Sequence, residues 1–167
     1  ANWVALRVSR SQDIDFDKNY ILAYGQPFDG GIIGAATGDL NAETIGYAER
    51  VKFSRNTIRH VGPGDMSASV ALQFSCSNND GAVIDCQAIE NVVVGFTTAC
   101  GLTGSMDGIT IAGTRARGCA NGILRGDYGG AGGTAANRRF NRVTLRDNKF
   151  LRSAAGQGCA NGINVAM

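Results

Sequence analysis

The hydrophobic pattern of the chain recurs in three eight-residue segments. Each segment has apolar residues at its first, third and eighth positions and asparagine at its sixth. The segments are Ile14–Ile21 (IDFDKNYI), Val51–Ile58 (VKFSRNTI) and Val143–Phe150 (VTLRDNKF). Alternation at period two predicts a strand, and asparagine is a preferred residue of bends. We therefore expect each copy to form a strand, a bend and a second short strand.

Two further segments fit this pattern more loosely. Ala82–Ile89 has Gln87 at the sixth position, and Ile109–Ala116 has Thr114 there. The five copies start at positions 14, 51, 82, 109 and 143, so the period varies between 27 and 37 residues. Such a period is typical of a solenoid, whose coils tolerate insertions that loop out of the stack.

A second apolar strand is predicted ahead of each copy. Its apolar positions, coil by coil, are Leu6 and Val8, then Ile45, then Leu72, Phe74 and Cys76, then Val92, Val94 and Phe96, then Ile123. Ile163 and Val165 begin a sixth coil. No segment has a convincing helical period, so the sequence predicts an all-β fold of about five coils, uncapped at both ends.

The recurring asparagines have a predicted structural role. Stacked coils place Asn19, Asn56 and Asn148 at the same bend, where side-chain amides can pass hydrogen bonds from coil to coil. We expect these residues to hold the corner of the stack and to take no part in catalysis.

The segments ALRVSRSQDIDFDKNYI (5–21) and VTLRDNKFLRSAAGQGCANGINV (143–165) resemble a known repeat. They look like the repeats of the right-handed parallel β-helix proteins of the pectin-lyase-like superfamily, found in polysaccharide lyases, alginate epimerases and phage tailspikes. The resemblance implies a right-handed parallel β-helix, carbohydrate handling and an extracellular or virion-surface location. The repeat belongs to the scaffold and implies no particular activity.

Composition narrows the class of partner. Among 167 residues, 16 Lys and Arg face 14 Asp and Glu, a net charge of +2, which favours neither a nucleic acid nor a membrane. Residues 1–100 carry 7 basic and 11 acidic side chains (−4), and residues 101–167 carry 9 and 3 (+6). The asymmetry fits an unevenly decorated surface, a polyanion-binding end, or ends that stack as a homo-oligomer; a tailspike homotrimer is a further option.

The chain is interpreted as one domain, 1–167, and as a piece of a longer protein. Its five cysteines show no CxxC pair, and the chain has one histidine, so a zinc site is not expected. We interpret the cysteines as small core residues, with a Cys76–Cys86 or Cys119–Cys159 disulfide as the alternative.

Candidate chemistry lies in two predicted loops, Thr97–Gly108 and Leu124–Arg142, which interrupt adjacent coils and would form a groove. The predicted catalytic residues are Asp107 and Asp127, and the predicted substrate-binding residues are Tyr128, Arg125, Arg138, Arg139 and Arg142. Glycoside hydrolysis needs two carboxyl groups, and a lyase needs a base with cations that neutralise the uronate carboxylate. The alternative is that both acids are ordinary residues of glycine-rich turns.

No cofactor is expected, with calcium at the outward acids Asp13, Asp15 and Asp17 as a weak alternative. Two classes of function remain. The chain is either a carbohydrate-interacting domain of a phage tailspike or of a secreted polysaccharide-degrading or -modifying protein, or a non-catalytic structural solenoid that acts as spacer, shaft or filament subunit. If it is an enzyme, it is a polysaccharide depolymerase of glycosidase or lyase type.

Overall fold

The computed structural model describes residues 6–9, 11–24, 30–36, 47–61, 69–76, 82–125, 140–151 and 161–165. Within these ranges the chain forms strands and bends and no helix, so the all-β prediction is confirmed. The strands are β1 Leu6–Ser9, β2 Gln12–Asp17, β3 Tyr20–Tyr24, β4 Gly30–Ala36, β5 Tyr47–Ser54, β6 Thr57–Val61, β7 Ser69–Ser75, β8 Ala82–Ile84, β9 Gln87–Ile89, β10 Val92–Val94, β11 Thr98–Thr103, β12 Met106–Asp107, β13 Thr110–Ala112, β14 Arg115–Arg117, β15 Asn121–Arg125, β16 Phe140–Asn141, β17 Thr144–Arg146, β18 Lys149–Leu151 and β19 Asn161–Val165.

These strands form three parallel sheets. Sheet 1 has the order β1-β4-β7-β11-β15-β19, and sheet 3 has the order β18-β14-β10-β6-β3. Sheet 2 is built around β5, which pairs with β2 on one side and with β8 and β9 on the other. Beyond them lie β12 and β13, then β16 and β17.

The chain visits the three sheets in a fixed order, and each such round is called a circuit below. Circuits one to five are β1–β3, β4–β6, β7–β10, β11–β14 and β15–β18, and β19 returns to sheet 1. Parallel neighbours lie about 4.8 Å apart, so equivalent residues of successive circuits stack in rows. The prediction of parallel sheets is confirmed.

A left-handed bend joins sheet 2 to sheet 3 in every circuit. The residue at this bend has φ between 50° and 65° in each circuit: Lys18, Arg55, Glu90, Gly113 and Asp147. Four of the five are not glycine, and a residue other than glycine adopts this conformation only at a cost of about 1–2 kcal/mol. The stack must therefore supply contacts that hold the bend in place.

The asparagine at the next position supplies them. Asn56 Oδ1 accepts hydrogen bonds from the backbone N (2.9 Å) and Nδ2 (3.0 Å) of Asn19, and Asn56 Nδ2 donates to Phe16 O at 2.9 Å. Asn91 repeats this pattern one circuit later: its Oδ1 accepts from Asn56 N at 3.0 Å, and its Nδ2 donates to Phe53 O at 2.8 Å. The predicted asparagine ladder is confirmed.

Thr114 occupies the ladder position of circuit four. Its backbone N donates to Asn148 Oδ1 at 3.0 Å, and Asn148 Nδ2 donates to Ile111 O at 2.9 Å. The hydroxyl Oγ1 of Thr114 is buried and has no hydrogen-bond partner among the described residues. The ladder is therefore interrupted at one rung.

The alignment of the third repeat was wrong by four residues. Phe53 pairs with Ala88, which aligns Asn56 with Asn91, so the copy runs over Cys86–Val93 (CQAIENVV) and contains its own asparagine. A shift of four preserves the inward–outward alternation of a strand, so the pattern could not separate the two alignments.

The predicted loop Thr97–Gly108 is also wrong. It contains β11, all six residues of which are buried in sheet 1, and then β12 of sheet 2. Val92 and Val94 lie in sheet 3 and are not the first strand of a coil. A strand buried on both faces shows little alternation, which is why β11 looked like a loop.

A long excursion was likewise expected over Tyr24–Asn41. It contains β4, which lies in sheet 1 between β1 and β7. This strand is GGIIGAA, and its glycines concealed it. Ile45, the residue expected in its place, lies outside the described residues.

The core between the sheets is built from apolar residues and free thiols. Phe53 and Phe74 stack with ring centroids 5.6 Å apart. The described cysteines are buried, which confirms their core role: Cys76, Cys86, Cys100 and Cys119. Cys86 forms no disulfide, so the Cys76–Cys86 alternative is wrong. Burial raises the pKa of Cys86 to about 11 and that of Cys100 to about 12, so both stay protonated at neutral pH. Cys159 lies outside the described residues.

Candidate functional site

Two of the predicted site residues meet at a bend of sheet 2. Asp107 ends β12, and its Oδ1 accepts a hydrogen bond from Arg142 Nε at 2.6 Å. Arg142 Nη2 also donates to Asp85 Oδ1 at 3.2 Å. Asp85, Gly108 and Arg142 occupy equivalent left-handed positions in circuits three, four and five, with φ of 50°, 75° and 49°.

Glycine at position 108 makes this contact possible. A Cβ at Gly108 would lie 2.0 Å from Asp85 Oδ1 and 3.2 Å from Arg142 Nη2. The missing side chain leaves the space in which Arg142 reaches across one circuit to Asp85. We call Asp85, Asp107 and Arg142 the bend cluster.

The bend cluster is poorly suited to catalysis on an acidic sugar. All three side chains are partly exposed, and the hydrogen bond with Asp107 raises the pKa of Arg142. A cation held between two carboxylates is already neutralised, and both carboxylates are already engaged as acceptors of hydrogen bonds from Arg142. The arrangement is that of an ion pair that ties three circuits together.

The remaining predicted site residues are only partly described. Asp127, Tyr128, Arg138 and Arg139 lie outside the described residues, so the Asp107–Asp127 pair is not tested. Arg125 lies at the end of β15 with its Cζ 4.5 Å from the ring centroid of Phe140. The structure therefore brings Asp107 and Arg142 together, whereas the groove between two loops is lost because Thr97–Gly108 forms strands.

The acids of circuit one are ion-paired. Asp13 accepts from Arg50 at 2.5 Å, and Asp17 accepts from Ser54 Oγ at 2.8 Å and from Arg55 Nε at 2.9 Å. The hydrogen bond from Arg55 lowers the pKa of Asp17 to about 2. Among the described residues no group of three potential ligands could hold a metal ion.

The outward face of sheet 3 presents a different surface. Strand alternation turns Ile58, Val93 and Ala116 into the core, where they are buried, and turns their neighbours outward. We call the outward set the sheet 3 face: Tyr20, Leu22, Thr57, Arg59, Val92, Val94, Arg115, Arg117, Lys149 and Leu151. It contains four cations and no acidic residue.

The four cations of the sheet 3 face are exposed and share one region. Arg115 pairs with Lys149 across β14 and β18, and Arg117 lies two residues beyond Arg115 on the same strand. Arg59 and Arg117 flank Val94 in the same row. None of the four forms an ion pair with an acid within the described ranges.

Sequence reasoning missed this surface, although a signal was present. In three copies the ladder position is followed by a polar residue, an apolar residue and then an arginine or leucine. These segments are Thr57-Ile-Arg59, Arg115-Ala-Arg117 and Lys149-Phe-Leu151. These segments are the second short strands that the repeat predicts. Aligning the outward-facing residues of these segments from copy to copy would have shown the row of cations.

No helix of the described residues is long and apolar enough to cross a membrane. Comparison of the chain with protein-family models, curated proteins and solved structures finds no match.

Proposed function

We propose that the chain is a right-handed parallel β-helix domain that binds polysaccharide without cleaving it. Three parallel sheets visited in a fixed order support the β-helix, as does the resemblance of residues 5–21 and 143–165 to pectin-lyase-like repeats. The right hand follows from the strong preference of parallel crossover connections for that hand. An extracellular or virion-surface setting, such as a tailspike, belongs to the same proposal.

The sheet 3 face is the observation that carries the binding function. Its five strands present side chains in regular rows, which suits an extended polymer with a repeating unit. Tyr20, Leu22 and Leu151 are 65%, 53% and 54% exposed at the two ends of this face. Exposed aromatic and aliphatic side chains provide the apolar surface on which sugar rings pack.

The absence of cleavage is proposed from the bend cluster. Asp107 is the predicted catalytic acid that the structure describes, and it is bonded to Arg142. A structural spacer is the second class of function. It has no need of an exposed row of cations that pair with no acid of the described residues, since such a row only adds repulsion. Binding therefore accounts for the surface better than a purely structural role does.

The test is incubation of the 167-residue protein with a panel of acidic and neutral polysaccharides. Binding is measured by co-sedimentation, and cleavage by new reducing ends and by the absorbance of unsaturated uronates. We expect binding to at least one polymer with no product, and unchanged binding in Asp107→Asn. Product that disappears in Asp107→Asn would replace binding with catalysis, and no binding to any polymer would favour the spacer.

A further inference from the structure

The sheet 3 face concentrates positive charge that forms no ion pair with an acid of the described residues. Arg115 and Lys149 are direct neighbours on adjacent strands, about 4.8 Å apart at the backbone. Arg117 lies two residues along from Arg115, about 6.6 Å away, and Arg59 lies two strands from Arg117, about 9.6 Å away. Arg115, Arg117 and Lys149 each lie within one Debye length of a neighbour, about 8 Å at physiological salt, so they repel one another, and Arg59 lies just beyond that distance.

This arrangement contrasts with the rest of the described surface. On sheet 2 and at the bends at its strand ends, cations pair with acids: Arg50 with Asp13, Arg55 with Asp17, and Arg142 with Asp107. Like charges opposite each other on neighbouring strands destabilise a sheet, and an anion placed between them reverses the sign of that interaction. The unbalanced row therefore requires either a cost in stability or an anionic ligand.

We infer that the polysaccharide bound by the sheet 3 face is polyanionic, carrying carboxylate or sulfate groups. Arg115, Arg117 and Lys149 form the main anion site, and Arg59 forms a second contact across the Val94 row. This inference rests on the proposed polysaccharide-binding function and names the chemical class of its ligand. The polymer crosses the strands, because the cations are distributed over β6, β14 and β18 and not along one strand.

The side chains divide the recognition between them. The planar guanidinium groups of Arg115 and Arg117 can each hold a carboxylate or sulfate through two hydrogen bonds, whereas Lys149 acts as a point charge. Val94 is half-buried between Arg59 and Arg117, and Val92 is half-buried beside Arg115. Together the two valines provide an apolar floor for the sugar rings. Anionic groups along the polymer can therefore meet cations on circuits two, four and five.

The experiment uses pairs of polymers that differ only in charge. Dextran sulfate is compared with dextran, and polygalacturonate with its methyl ester, by affinity measurement at low and at physiological salt. We expect the charged member of a pair to bind and the neutral member not to bind. Affinity should fall as salt rises, because exposed charges are screened.

Variants locate the site. In Arg115→Gln, Arg117→Gln and Lys149→Gln we expect about a tenfold loss of affinity for each cation removed, which is about 1.4 kcal/mol. Lys52→Gln and Arg146→Gln make the same charge change on the outward face of sheet 2 and should leave affinity within about twofold. All five positions are on the surface, and thermal midpoints no lower than that of the natural protein show that the variants fold.

The outcomes separate the ligand class from the function. Equal affinity for dextran and dextran sulfate would retain polysaccharide binding and overturn the polyanion inference. Binding of inorganic polyphosphate, with no binding of any polysaccharide, would overturn the proposed function and leave an anion site of another class. Equal losses in the sheet 2 controls would show that net charge alone binds the polymer, which overturns the assignment to sheet 3.

Discussion

Among the described ladder positions, Thr114 is the one at which the asparagine ladder is broken, and replacing it with asparagine should stabilise the protein. At the other rungs the amide Oδ1 accepts from the backbone N of the preceding circuit, and Nδ2 donates to the carbonyl three residues before that ladder position. By the same rule, the new Oδ1 of Thr114→Asn accepts a hydrogen bond from Asn91 N, and the new Nδ2 donates to Ala88 O. The substitution also removes a buried hydroxyl that has no partner among the described residues.

The magnitude follows from these bonds. Two new hydrogen bonds contribute about 0.5–1.5 kcal/mol each, and ordering the amide opposes them by about 0.5–1 kcal/mol. Threonine and asparagine are similar in size, so the fully buried site need not expand. We expect a net gain of about 1–2 kcal/mol in the free energy of unfolding, or about 2–8 °C in Tm.

Urea unfolding followed by far-ultraviolet circular dichroism measures this gain. The matched control is Thr114→Val, which removes the unpaired hydroxyl but adds no ladder bond. If the ladder is the cause, the Thr114→Asn variant is more stable than the Thr114→Val variant. Its m-value equals that of the natural protein, and hydrogen exchange at its Asn91 amide is slower. Asparagine at or below the stability of the natural threonine would refute the reasoning, since the bonds predicted from register would then not form.

Two further predictions concern the bends and the ion pairs. Gly104→Ala should destabilise by about 2–5 kcal/mol in urea unfolding, because φ is +81° and the new Cβ would lie 2.1 Å from Cys76 O. Gly95→Ala, with φ of +80° but its nearest contact at 3.4 Å, should cost only about 1–2 kcal/mol, and equal losses would contradict the steric argument. The pKa of Asp17 is lowered from 3.8 to about 2, chiefly by its hydrogen bond with Arg55, so its ion pair stabilises the fold above about pH 4 and that contribution is lost as pH falls towards 2. Asp17→Asn should therefore lower the urea midpoint at neutral pH. The difference in urea midpoint between the variant and the natural protein should shrink between pH 4 and 2, and a difference that stays constant with pH would contradict this.

The chemistry of single strands and bends was predictable from sequence. Alternation in Ile14–Ile21, Val51–Ile58 and Val143–Phe150 identified strand pairs that the structure contains, and Asn19, Asn56 and Asn148 identified the bend between them. These are local properties, determined by side-chain period and by the hydrogen bonds an asparagine can make. Segments without such a signature, β4 and β11, were missed because glycine or two-sided burial conceals alternation.

The candidate site depended on register, which is not local. Asp107 and Arg142 are 35 residues apart, and the sequence placed both in one region without showing that they bond. Strand pairing alone made Asp85 a neighbour of Arg142. It also brought together the cations of the sheet 3 face, which are Arg59, Arg115, Arg117 and Lys149.

Repetition along the chain thus determined that parallel strands stack and that an asparagine holds the bend. Only the tertiary structure decided which residues share a row, because a shift of four residues leaves the alternation of any one strand unchanged while exchanging all its neighbours. The free energy that selects among such alignments comes from the stacked core and the ladder, and neither exists until several circuits have come together.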